Sequence, residues 1–125
     1  MKRQETLALL YHFEPEREAA VREALRSCKV PARRVPDADI GQKIGYLAGW
    51  KGFKRTPEDG GAPFAEEVLI LQGVPGKLLD AILLRFEAEG LGRIRLKVVV
   101  TPYNALWTLR RLCETIQKEH GAMLK

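Results

Sequence analysis

The sequence is poor in the residues that build thiol and metal sites: two cysteines and two histidines among 125 residues. Cys28 and Cys113 lie far apart, and both fall on the apolar stripes of predicted helices. They read as buried free thiols in a reducing compartment rather than as a disulfide. No pair among His12, Cys28, Cys113 and His120 has a chelating spacing such as C-x-x-C or H-x-x-x-H, so neither a metal nor another cofactor is expected. With both thiols on inward stripes, Cys–His nucleophilic catalysis is not expected either. Apolar runs are short. None approaches the ~18 to 20 residues that span a bilayer, and Leu7 to Leu10 is too brief for a signal-peptide core; the expected location is cytoplasmic. The glycine-containing segments Gly41-Gln-Lys-Ile-Gly45 and Ile44-Gly-Tyr-Leu-Ala-Gly49 lack both G-K-[ST] and G-x-G-x-x-G, which removes the common nucleotide-binding loops. They read as close helix packing or a bend. No carboxylate pair sits in an apolar context that would raise a pKa: Glu66, Glu67, Glu114 and Glu119 read as solvated charge. The expectation leans away from an enzyme and leaves the question open.

What is present is ordinary soluble composition, 46% hydrophobic and 30% charged, in a length that suits one domain over 1–125. The net charge is +5, but basic residues are spread along the chain and interleaved with acidic ones, which describes a solvated surface more than a nucleic-acid stripe. Leu7-Ala-Leu-Leu-Tyr11 reads as a buried strand. Glu14-Pro15-Glu16 opens a helix with the stripe Val21, Ala24, Leu25, Cys28. Ala32-Arg-Arg-Val35, held between Pro31 and Pro36, reads as an edge strand. Residues 37–65 hold six of the eleven glycines and read as an insertion, with a short helix on Ile40, Ile44, Leu47 and Ala48 stopped by Gly49 and a mobile loop through Thr56–Gly61. Glu67–Gln72 is the clearest strand. A helix with Leu78, Leu79, Ile82, Leu83 and Phe86 follows, closed by Gly90. Arg93 to Val100 reads as the last strand, halting at Thr101-Pro102 and turning directly into a long helix striped by Leu106, Leu109, Leu112, Cys113 and Ile116. No internal repeat is visible.

The order β-α-β, insertion, β-α-β-α fits an α+β fold: a ferredoxin-like βαββαβ two-layer sandwich with a long C-terminal helix. There the first and third strands are central, the second and fourth are edges, and the last helix covers the other sheet face or makes a dimer contact. A four-stranded parallel α/β sheet is the alternative.

The leading functional expectation is a non-catalytic binding or regulatory module, and a homodimer. It would recognise a small anionic ligand or a protein partner at the turn 97–107. Lys97 supplies charge, Thr101 and Asn104 supply helix-end N–H groups and an amide, and Trp107 stacks. A second expectation is single-stranded nucleic-acid binding through Trp50, Lys51, Phe53, Lys54 and Arg55, where aromatics interleave with cations. A third is an enzyme with His12, Gln72 and Thr101 together at the strand C-terminal ends of a parallel sheet.

The strand Val68-Leu-Ile-Leu-Gln-Gly73, the helix start Lys77-Leu-Leu-Asp80 and the string Leu96-Lys-Val-Val-Val-Thr-Pro-Tyr-Asn104, leading to Trp107-Thr108, Leu112 and Glu119-His120, together resemble a family of short bacterial proteins known only as a domain of unknown function. The resemblance covers residues 65–123, with Ile44–Gly49 matching loosely. It implies a cytoplasmic bacterial protein, adds weight to the Lys97–Trp107 region and implies no activity. Tyr103 departs from the smaller hydroxyl residue the family pattern implies there.

Overall fold

Two helical layers enclose a mixed four-stranded sheet in the computed structural model, which describes residues 6–57, 61–91, 94 and 96–123. The elements are β1 (Leu7–Tyr11), α1 (Pro15–Ser27), β2 (Ala32–Val35), a 3-10 turn (Asp37–Gly41), α2 (Ile44–Leu47), β3 (Val68–Gln72), α3 (Gly76–Ala88), β4 (Leu96–Val99), a second 3-10 turn (Asn104–Leu106) and α4 (Leu109–Met123). The expected element order holds. Leu9, Leu10 and the whole of β3 are buried, because strands covered on both faces carry apolar residues without alternation.

The strand order is β2-β1-β3-β4, with β1 parallel to β2, β3 parallel to β4, and β1 antiparallel to β3. The central and edge strands are as expected, yet neither expected architecture is present. In a ferredoxin-like sandwich each helix carries the chain past a neighbouring strand. Here α1 and α3 each return it beside the strand just left, which makes two parallel pairs. The all-parallel sheet fails in the insertion: α2 has four residues, Ile44–Leu47, and the chain turns away two residues later at Gly49, whose φ of 81° is open to glycine at little cost. A piece that short is no crossover helix, and the chain re-enters the sheet reversed.

Apolar residues segregate by sheet face. Ala8, Leu10, Leu69 and Leu71 pack with Val21, Leu25, Ile82 and Phe86 under α1 and α3. Leu9, Tyr11, Val68 and Ile70 pack with Ile40, Ile44, Leu109 and Leu112 on the opposite face. So α4 covers the second face, one of the two roles expected for it.

The architecture is an internal repeat that the sequence conceals. Both α1 and α3 have thirteen residues. His12 (φ 61°) before α1 corresponds to Gly73 (φ 66°) before α3, and Lys29 (φ 62°) after α1 to Gly90 (φ 70°) after α3. The Val30 N–H donates to Leu25 as Leu91 donates to Phe86. Leu9 faces Ile70 at the centre of the antiparallel pair, each the middle residue of its strand, so an approximate two-fold axis passes there. Beyond β2 and β4 the match continues. Gln42 donates to the Asp39 carbonyl and Trp107 to that of Asn104; Leu47 donates to Lys43 and Leu112 to Thr108. The two units lock together through an antiparallel bridge, Lys43 with Thr108, in which Ile44 donates to Trp107 and Leu109 to Gln42, both at 2.9 Å.

That bridge explains why the last helix starts late. The chain does not turn helical at Pro102; it makes the short 3-10 turn, stays extended at Trp107 (φ −83°, ψ 153°) to reach Lys43, and only then enters α4. Of the residues expected in the fourth strand, Arg93 and Arg95 lie outside the described residues, as does the Glu58–Gly60 part of the loop.

Candidate functional site

The turn at 97–107 uses its polar groups internally. The Thr101 N–H donates to Asn104 Oδ1 (2.8 Å), the Asn104 N–H donates to Thr101 Oγ1 (3.1 Å), and Asn104 Nδ2 donates to the Val99 carbonyl (3.0 Å). Asn104 is 8% exposed. A buried amide with both ends matched is stabilising as a joint and has little left for a ligand. Lys97 Nζ donates to the Ile94 carbonyl (2.6 Å), and Trp107 is half-buried, with the Arg111 guanidinium 4.3 Å from its ring.

The aromatics of the 50–55 loop also face inward. Trp50 Nε1 donates to the buried Gln72 Oε1 (2.7 Å), and Phe53 meets Trp50 edge-on at 6.3 Å. A Cβ on Gly45 would come within 2.6 Å of the Phe53 ring, so that glycine is set by close packing. Arg55 is paired with Asp39 (2.6 Å), leaving Lys51 and Lys54 exposed without a stacking platform. The following loop is tied down where it is described: Gln42 bonds both the N–H and the carbonyl of Thr56, and the Phe64 N–H donates to the Tyr11 hydroxyl. Burial raises the Tyr11 pKa, only partly opposed by that bond.

The third expectation needed His12 beside Thr101. Because β1 and β3 are antiparallel, His12 follows the end of β1 near the start of β3, while Thr101 follows β4 at the opposite sheet end. They do not meet. Both cysteines are free; Cys113 is buried and Cys28 half-buried. Burial pushes the Cys113 thiol up to about 12, which keeps it protonated and inert at neutral pH. Among the described residues no cluster of histidine, cysteine and carboxylate could hold a metal; the side chain of His120 lies outside them.

A crevice of about 750 Å³ opens where β1 and β2 end and α1 begins. Its ionisable lining is His12, Glu14, Glu18, Arg34, Asp37 and Glu67, against apolar walls from Phe13, Pro15, Val35, Pro36 and Ala65. Several of these charges are committed. Glu18, 6% exposed, accepts from Arg22 and Arg34, both at 2.9 Å. Burial works to raise its pKa, but the hydrogen bonds and charges of Arg34 and Arg22 outweigh that and leave it lowered. Arg17 Nε bonds both Glu67 oxygens at 2.8 Å and its Nη1 donates to the Leu91 carbonyl. His12 Nδ1 lies 3.2 Å from Asp37 Oδ1.

The repeat supplies an internal control. The positions equivalent to His12, Glu14, Glu18, Arg34, Asp37 and Glu67 are Gly73, Pro75, Leu79, Val99, Pro102 and Thr6. None of those ionises. At these six positions, then, the second unit takes the same backbone course with no ionisable side chain. The group is not visible as a group in sequence because its members come from the turn after β1, α1, β2, the first 3-10 turn and the residue before β3. Of its members His12, Glu14 and Glu67 are named from sequence, but in unrelated roles.

Fold and site together define a two-unit α+β domain with an open mixed sheet and a charged crevice at one end. Residues 67–123 match a family described as Domain of unknown function (DUF3783). That span runs from just before β3 to the end of α4, which is the second unit. The first unit has the same architecture outside the matched residues. No curated protein and no solved structure matches the chain. No helix among the described residues is long and apolar enough to cross a membrane.

Proposed function

We propose that the chain is a small non-catalytic binding module whose ligand seat is the crevice of the first unit, and that the 97–107 turn serves as a structural joint. The observation that supports this reading is the six-position contrast between equivalent ends of the two units. Charges that the fold does without are retained where a cavity is open.

The ligand class follows from which groups remain uncommitted. The guanidinium charges of Arg34 and Arg17 are spent on Glu18 and Glu67. Among the described residues the Glu14 carboxylate and the second oxygen of Asp37 pair with no cation, and both can accept hydrogen bonds. With Nδ1–H turned to Asp37, His12 offers Nε2 as a third acceptor. Three acceptors, in a crevice where Arg17, Arg22 and Arg34 are taken up by Glu18 and Glu67 while Glu14 and Asp37 are not matched by an arginine, favour a small organic cation, a protonated amine, over the anion expected from sequence.

Titration with putrescine, followed by ¹H–¹⁵N amide shifts, tests the reading. Saturable shifts confined to residues 12–18 and 34–37, with Kd about 1 mM or tighter and lost in Asp37→Asn, are expected. Equal or larger shifts with acetate or phosphate, or none with the diamine at ~20 mM, would contradict it.

A further inference from the structure

All five exposed large hydrophobics of the described residues, Leu83, Leu84, Val99, Tyr103 and Leu106, belong to the second unit. Three of them, Leu83, Leu84 and Val99, lie on α3 and the edge strand β4. In the first unit, Arg22 and Arg34 converge on Glu18; the equivalent positions of the second unit are Leu83, Val99 and Leu79. An ion triad at one edge of the sheet is thus an apolar strip at the other, 37% exposed at both Leu83 and Val99. Leu84, 67% exposed, extends the strip onto the outer face of α3, where the first unit has Glu23. The opposite edge strand carries Arg33 and Arg34, which guard it against association; β4 has Val98 and Val99 at the equivalent positions and Lys97, which bonds the Ile94 carbonyl, near its start.

We propose that this flank is a self-association surface and that its occupant is a second copy of the chain, docked with the two α3 helices antiparallel. The helix presents Lys77, Asp80, Ala81, Leu84, Glu87 and Ala88 on one exposed face, the i, i+3, i+4, i+7 set of a single stripe. Lys77 stands at its start and Glu87 near its end. Crossing a second copy over the Ala81–Leu84 region about a two-fold axis sets each Leu84 against the small Ala81 of the other copy. It also brings each Lys77 to the other Glu87, so the charges at both ends are complementary. A two-fold contact must be self-complementary, and the Leu84–Ala81 and Lys77–Glu87 pairings meet that condition, with Asp80 the one charge of the face outside them. The α1 face does not, since Glu23 would sit at its centre.

Sedimentation velocity on the full chain tests the proposal. The wild type is expected to dimerise with Kd in the range of roughly 10 µM. Leu84→Lys, at an exposed position that leaves the circular dichroism unchanged, should weaken the dimer at least tenfold. Lys77→Glu alone should weaken it several-fold, and Lys77→Glu combined with Glu87→Lys should restore it. A chain that stays monomeric at about 200 µM, or a dimer indifferent to Leu84→Lys, overturns the inference.

Discussion

The two units share a backbone and differ in chemistry, and the difference separates what the fold needs from what it carries. Equivalent positions hold Leu10 and Leu71, Val35 and Val100, and Leu47 and Leu112, all buried. These build the core, and size and polarity are kept across the two-fold axis. At the strand ends the units part: ion pairs and an imidazole in one, leucine, valine and proline in the other. Glu18 is buried, but its partners Arg22 and Arg34 are 40% and 65% exposed, and ion pairs so open to solvent contribute little to stability; the second unit has apolar residues in their place. After the 3-10 turns the units part again. Glycines at 45 and 49 keep α2 to four residues, whereas Arg110 and Glu114 occupy the equivalent stretch of α4, which runs for fifteen.

The comparison can be strained most strongly at the axis itself. Leu9→Ala and Ile70→Ala each remove a fully buried side chain and are expected to cost about 2 to 5 kcal/mol. Urea unfolding should give similar values for the two if the axis is real. A large disparity would mean that the central pair is not equivalent. A smaller effect sharpens the contrast at the crevice. Because the folded pKa of Glu18 is depressed below the ordinary 4.5, its stabilisation is complete above that pH and is lost as the pH falls through the folded value. The stability gap between wild type and Glu18→Gln should therefore narrow as urea titrations move from pH 7 into the acid range. A gap that widens on acidification has the wrong sign for the proposed ion triad.

Sequence alone gave the elements and most of the core, because periodicity of 2 or 3.6 reports burial directly. It did not give strand neighbours. Whether α1 returns the chain beside β1 or past β3 depends on packing over the whole sheet, and neither Val21 nor Leu25 carries that information. The repeat stayed hidden because the units match in backbone conformation more than in residue type: His12 and Lys29 take the left-handed shape that Gly73 and Gly90 take. Thr101-Pro102 was read as a helix start from local chemistry that is real, since Thr101 and Asn104 do cap one another. The bridge to Lys43, distant in sequence, then holds Trp107 extended and delays the helix. Asn104 was legible as special, but not that its polar atoms turn inward. The crevice residues were legible singly and not as a group.

Exchanging one unit's chemistry for the other's tests the central claim most directly. The chain carrying Glu18→Leu, Arg22→Leu and Arg34→Val copies the Leu79, Leu83 and Val99 arrangement into the first unit. If those charges are surplus to folding, its thermal midpoint stays at or above that of the wild type. A midpoint lower by about 5 °C or more would show that the first unit needs its ions to fold.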